Sequence, residues 1–311
     1  MGDVQPALGL LATAVLNTAF AVAAGCLTSL WTLRRTNSPW SRSKIDSLVV
    51  ALRTSLVICG LAFALLLWTE AAAMSEVPLL SAGGAIGDVL AHTHFGHAWI
   101  LGSAALLVLA SISNLREHWL GPSRLMTAVG CALLFAASKS WMSHAGSSGQ
   151  LLPFVIDWVH LVSVSIWAGA VFVATAVVLR RPHPVGLGER SACAAFVEYL
   201  SAVATWSLVA VLVTGAFSAW RGLGGSTQAL FSSTYGQILL AKLVLVALAV
   251  ALGAHNRFVG MPPLLNGLRL PQSSSPGPQQ AFYRVLFLES VVLVAVLVAA
   301  ADLSTSAPPS T

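Results

Sequence analysis

The stretch PFVIDWVHLVSVSIWAGAVFVATAVVL, residues 153–179, decides the fold. Apart from Asp157 and His160 it holds no ionisable side chain, and about 20 consecutive apolar residues are enough for a helix to cross a bilayer. Asp157 and His160 are three residues apart, so one face of that helix carries both. With a helix start at Pro153, His160 lies roughly 10 Å below the membrane boundary at ~1.5 Å per residue. An aspartate at the centre of a membrane helix costs on the order of 2.5–3.5 kcal/mol, so it should face the interior of a bundle and have a partner. One arrangement lets Asp157 accept a proton from one ring nitrogen of His160 and leaves the other nitrogen free to hold a metal. In the other, the pair merely ties two helices together. The same face continues through Ser163 and Trp167.

The rest of the chain has the same character. Of its 311 residues 57% are hydrophobic and only 9% charged, with a mean hydropathy of +0.82, which excludes a soluble domain of this size. Apolar runs fall near 6–33, 47–73, 89–115, 123–143, 153–180, 192–220, 235–256 and 281–302. The expectation is an all-α integral membrane protein, a bundle of eight transmembrane helices forming a single domain over 1–303, with a short disordered tail at 304–311. Pro6, Pro122 and Pro153 stand at helix starts, where a missing N–H costs little. Pro39, Pro78, Pro262 and Pro263 are expected in connections, and PQSSSPGPQQ (271–280) reads as a flexible linker.

Charge sets the orientation. Arg34, Arg35, Arg42 and Lys44, then Arg116 and Arg124, then Arg180, Arg181 and Arg190, then Arg257, Arg269 and Arg284 flank alternate connections. These belong on the cytoplasmic side, which places both termini outside. The N-terminus lacks a basic n-region, so the first span should be retained. The net charge of +5 reflects those loops, and no nucleic-acid partner is expected. Cys26, Cys59, Cys131 and Cys193 are scattered without a CxxC pair, which excludes a zinc ribbon or a disulfide framework. No nucleophile–base arrangement and no nucleotide-binding loop is present, so a transporter is expected rather than an enzyme or an ATP-driven pump.

His92, His94, His97, His144 and His160 all fall toward the outer side, and His118, His183 and His255 toward the inner. In HTHFGH (92–97) a helix would put His94 and His97 on one face, while an extended segment would pair His92 with His94. KSWMSHAGSSG (139–149) adds His144 and the softer Met142. Imidazole suits copper, zinc, nickel and iron. The candidate metal ligands are therefore His92, His94, His97, His144 and His160, with Asp157 steering the deepest ring. Lys242 either snorkels outward or pairs with an acid, and Glu198 and Glu289 serve as helix–helix ties or as part of an ion exit path. Two rival readings remain open: a non-covalent haem held between two histidines, which would make the protein an electron carrier, and a metal-binding scaffold that transports nothing.

Several stretches together resemble the copper resistance protein D (CopD) family: THFGHAW (93–99), SHAGSSGQLLPFVIDWVHLVSVSIWAG (143–169), TGAFSAW (214–220), STYGQILLAK (233–242) and HNRF (255–258). They run in family order over about the last two-thirds of the chain. The resemblance implies an eight-helix protein of the bacterial inner membrane that handles copper, as Cu(I) or Cu(II), delivered from the periplasm. It also implies a small periplasmic copper-binding protein as partner.

Overall fold

A computed structural model describes residues 4–36, 38–115, 121–143, 150–180, 183–270 and 276–306. Among these there is no strand, and eight helices are long and apolar enough to cross a membrane. They are α1 (Val4–Leu33), α2 (Pro39–Met74), α3 (His94–Asn114), α4 (Pro122–Met142), α5 (Leu151–Val178), α6 (Leu187–Gly222), α7 (Thr234–Arg269) and α8 (Pro276–Thr305).

Helix ends depart from the hydropathy reading in four places. Pro39 opens α2 rather than lying in a connection, because Ser38 caps the helix and accepts from the Ser41 N–H at 3.1 Å. Proline at the first helical position sacrifices no intrahelical bond. Span three is not continuous. A short helix, Ile86–His92, stops at Thr93, which is extended (φ −112°, ψ 150°) and caps α3 by accepting from the Gly96 N–H at 2.9 Å. Span seven runs past His255 through a π-turn, Asn256–Gly260, into a last helical segment, Met261–Arg269, that absorbs Pro262 and Pro263 in its first turn. Finally, α8 begins within the expected linker at Pro276 and reaches Thr305, so the expected tail starts inside a helix, and 307–311 lie outside the described residues.

α1 and α5 form the centre. In their most apolar windows 61% and 67% of residues are buried, against 17% and 11% in α6 and α7, which leave apolar faces for lipid. Small residues bring α1 and α5 together: Ala21 and Gly25, four apart on α1, meet Gly169 of α5. A Cβ added at Gly25 would lie 2.1 Å from the Gly169 carbonyl oxygen, and one at Gly169 only 1.8 Å from that of Ala21. Without a hydrophobic drive between helices in lipid, such backbone approach is what van der Waals packing rewards.

The packing repeats across this seam. α1 lies on α2 as α5 lies on α6, and α3 on α4 as α7 on α8, while α1 also touches α8 and α5 touches α4. α2 and α6 are both 36 residues long. The start of α7 copies that of α3: a short helix, Ala229–Ser232, ends at Ser233, whose φ of −106° and ψ of 150° match Thr93, and whose Oγ accepts from the Gly236 N–H at 3.0 Å. Gly96 and Gly236 are required there, because a Cβ would meet the carbonyl of Val89 or Ala229 at 2.1 and 2.2 Å. The chain thus contains two four-helix repeats of like topology, joined along α1 and α5.

At the end bearing the basic loops, buried Lys44 of α2 donates to the carbonyls of Val177 (3.2 Å) and Arg180 (2.5 Å). It satisfies groups freed by the π-turn Ala174–Val178 that ends α5, and its charge suits a helix C-terminus. Glu198 does tie helices, through an ion pair with Arg269. Both side chains are largely exposed, so the pair contributes at most about 1 kcal/mol.

Gly169→Val should abolish the monodisperse peak in size-exclusion chromatography of detergent-solubilised protein. Gly130→Ala, whose added Cβ meets nothing within 4 Å, should leave it unchanged. A folded Gly169→Val protein with wild-type thermal stability would remove the seam from the account.

Candidate functional site

Asp157 and His160 share a helix but not a partner. The His160 Nδ1 is 2.9 Å from Thr214 Oγ1 of α6. That hydroxyl spends its one proton on the Ala210 carbonyl at 2.6 Å, so its oxygen accepts and Nδ1 carries the hydrogen. The lone pair is then on Nε2, the form in which a histidine binds a metal. Gly215 makes room for the ring, since a Cβ there would be 3.2 Å from Cε1. The segment TGAFSAW therefore contributes an acceptor and a gap in adjacent positions.

The expected Asp157–His160 bond is absent. Asp157 turns to α4, where Ser140 Oγ donates to its Oδ2 at 2.7 Å and Ser143 Oγ lies 3.1 Å from the same oxygen. The physical reason is angular. Three residues along a helix leave the two side chains about 60° apart, enough for each to find a different neighbouring helix. Thr214 therefore orients the ring, in the role expected of Asp157.

Sequence reasoning singled out Lys242 in this region but missed Lys139. Lys139 of α4 donates to Asn17 Oδ1 of α1 and lies within electrostatic reach of Asp157. Lys242 of α7 lies within electrostatic reach of both Asp157 and His160. The signal was legible: Asn17 and Lys139 are polar residues within apolar runs, and in a bilayer such residues are functional by default. Two lysines thus lie within electrostatic reach of one carboxylate, and one of them within reach of the imidazole.

Among the described residues the outer histidines do not gather into a ligand shell. The break at Thr93 puts His92 and His94 on separate helices. His97 Nε2 is 3.1 Å from the Ala91 carbonyl oxygen, and the His94 ring packs edge-on against Trp141 at 5.0 Å between centroids. His144 lies outside the described residues. Among the described residues no three His, Cys, Asp or Glu side chains stand close enough to hold a metal ion. All four cysteines are free.

Asp157→Asn should leave Lys139 and Lys242 without their counter-charge and lower thermal stability by about 2–3 kcal/mol. The double variant Asp157→Asn, Lys139→Met should recover part of that loss. Tryptophan-monitored unfolding in detergent measures both, and equal stability of the single variant and wild type would show that the carboxylate does not balance the lysines.

Comparison with known proteins follows the same two-part layout. The model described as Copper resistance protein D-like, N-terminal domain, matches residues 4–152, which hold α1–α4. The model described as Copper resistance protein D matches residues 194–303, from within α6 to α8. The Copper resistance protein D of Pseudomonas syringae pv. tomato is 26% identical over 216 residues, 68% of each chain. The Copper transport protein CutJ of Bacillus subtilis (strain 168) is 28% identical over 231 residues, 69% of this chain but only 41% of that longer protein. No solved structure matches the chain. Two family models that together cover most of the sequence, on a bundle of eight apolar helices, place this multi-pass membrane protein in the copper resistance protein D family.

Proposed function

We propose that the protein takes copper from the periplasm and moves it into or across the inner membrane, with both termini periplasmic and residues 1–303 acting as one domain. The observation that carries this is the His160 tautomer. Thr214 holds Nδ1, and Nε2 is left with its lone pair inside the bundle of a protein related to copper resistance and copper transport proteins. His92, His94, His97 and His144, spread over the same end, each offer the ion a passing imidazole rather than a joint shell, where a small periplasmic copper-binding protein delivers it. His160 is the deeper post, and Asp157 moderates the charge around it.

Copper is cargo here, and its charge matters. With Lys242 beside the ring and Lys139 beyond Asp157, a monovalent ion meets less repulsion than a divalent one, so the site favours Cu(I). Passage beyond His160 needs the two repeats to open alternately toward each side, as rocking repeats do in other transporters. The energy comes from a gradient, the membrane potential or a copper sink downstream.

His160→Ala should lower the copper content of purified protein and abolish uptake in cells. Thr214→Val, which frees the ring to rotate, should weaken copper binding by roughly 10–100-fold, as other losses of a ligand's supporting hydrogen bond do. Lys242→Met should strengthen it about tenfold, the effect of ~1.4 kcal/mol of relieved repulsion. Copper stoichiometry and uptake unchanged in His160→Ala would overturn the proposal.

A further inference from the structure

A second polar seam lies in the α7–α8 half of the bundle, away from the histidines. Glu289 of α8 is 3% exposed. The Trp167 side chain of α5 lies beside it, and it lies against α7 at Gly253, where a Cβ would be 3.1 Å from Oε1. Three residues further along α7, Asn256 is 5% exposed, and neither its Nδ2 nor its Oδ1 has a hydrogen-bond partner. Positions 253 and 256 share a helix face, so carboxylate and amide belong to one seam along α7, with Asn256 Oδ1 lying toward Gly260, where an added Cβ would be 3.1 Å from it.

The backbone is irregular at the same place. Asn256 begins the π-turn Asn256–Gly260. α8 packs on this turn and also on the π-turn Ala174–Val178 of α5, where Thr175 Oγ1 is 2.9 Å from Ser290 Oγ. π-turns inside helices recur at functional sites, and irregular backbone at membrane depth is tolerated where it lines a cavity or an ion site.

Among the described residues no charged group is a partner of Glu289. α1 carries no charged residue from Val4 to Leu33. On α7, His255 is exposed and Arg257 reaches α6, donating to the Ser201 carbonyl and to the Thr205 hydroxyl. Arg269, at the end of α7, is paired with Glu198, and Arg284 of α8 is exposed. A buried, unpaired carboxylate costs several kcal/mol, and each unsatisfied amide group adds about 1–3. Both costs vanish if a small cation sits between them. Carboxylate, amide and hydroxyl oxygens are hard ligands that suit such ions and not soft Cu(I).

We propose that Glu289 and Asn256 form a site for a hard monovalent cation, hydronium or Na+, distinct from the copper post at His160. The inference goes beyond copper handling and does not rest on it, because its evidence is a buried charge and a buried amide that lack partners. Such a site would give the bundle an ion to couple to movement.

Two series of thermal unfolding on the purified full-length protein test it: NaCl against choline chloride at fixed pH and ionic strength, and a pH series in choline alone. Na+ binding is expected to raise Tm by about 2–4 °C at saturation, with no rise in choline, and Glu289→Gln and Asn256→Leu should both lose it. If hydronium is the occupant, the choline series shows a pH-dependent step in Tm that Glu289→Gln abolishes, with no response to Na+. Infrared difference spectra of wild type cover the case of a variant that does not fold: the protonated-carboxyl band should change with Na+ or with pH. Unfolding curves and carboxyl bands indifferent to both Na+ and pH would overturn the site. So would responses that the variants keep in full.

Discussion

The bundle rests on a backbone contact that no side chain could replace. At Gly25 and Gly169 the two central helices approach until carbonyl oxygens fill the space where Cβ atoms would be. In lipid the apolar surfaces of helices gain nothing by leaving water, so association depends on close packing. That contact fixes α1 against α5, and each repeat then hangs its remaining helices from one of them. α2 lies along α1, and α6 lies along α5. The lipid-facing helices need only be apolar, which is why α6 and α7 bury so little of themselves.

The seam also determines where polar chemistry can exist. α1 brings Asn17 and α5 brings Asp157 and His160, all on the histidine-rich side of the glycines. Lys139 from α4 reaches Asn17, Ser140 reaches Asp157, and Thr214 from α6 reaches His160. Four helices thus supply a connected set of polar groups at a depth where each alone would be costly. The repeats are alike in packing but not in chemistry. Gly102 faces Ser138 and Phe63 within the first repeat, whereas the ionisable Lys242 lies in α7 of the second. The ionisable groups of this region, Lys139, Asp157, His160 and Lys242, come from α4, α5 and α7.

Much of this was legible in the sequence. The eight apolar runs and the resemblance around TGAFSAW and STYGQILLAK follow from composition and order. Helix ends were less so, because Pro39, Pro262 and Pro263 punctuate a sequence equally well as first-turn prolines or as breakers, and only the Ser38 cap and the π-turn decide. The break inside span three had a signal, the Thr93-x-x-Gly96 cap, and its copy at Ser233-x-x-Gly236 would have disclosed the repeat. Partner choice was not legible. Spacing places Asp157 and His160 on neighbouring parts of one face, but which helix each meets depends on how α4 and α6 flank α5, and that is set by the glycine seam. The same holds for Glu289, which has no cation beside it among the described residues because Arg257 and Arg269 point to α6.

The central claim is that copper enters the bundle as far as a histidine whose free nitrogen is fixed by a threonine. A structure of the copper-loaded protein in a lipid nanodisc tests it most directly. The account places the ion on Nε2 of His160, with Nδ1 still bonded to Thr214 and Asp157 still held by Ser140. Copper found only among the shallow histidines, with the His160 ring unchanged and unliganded, would contradict it.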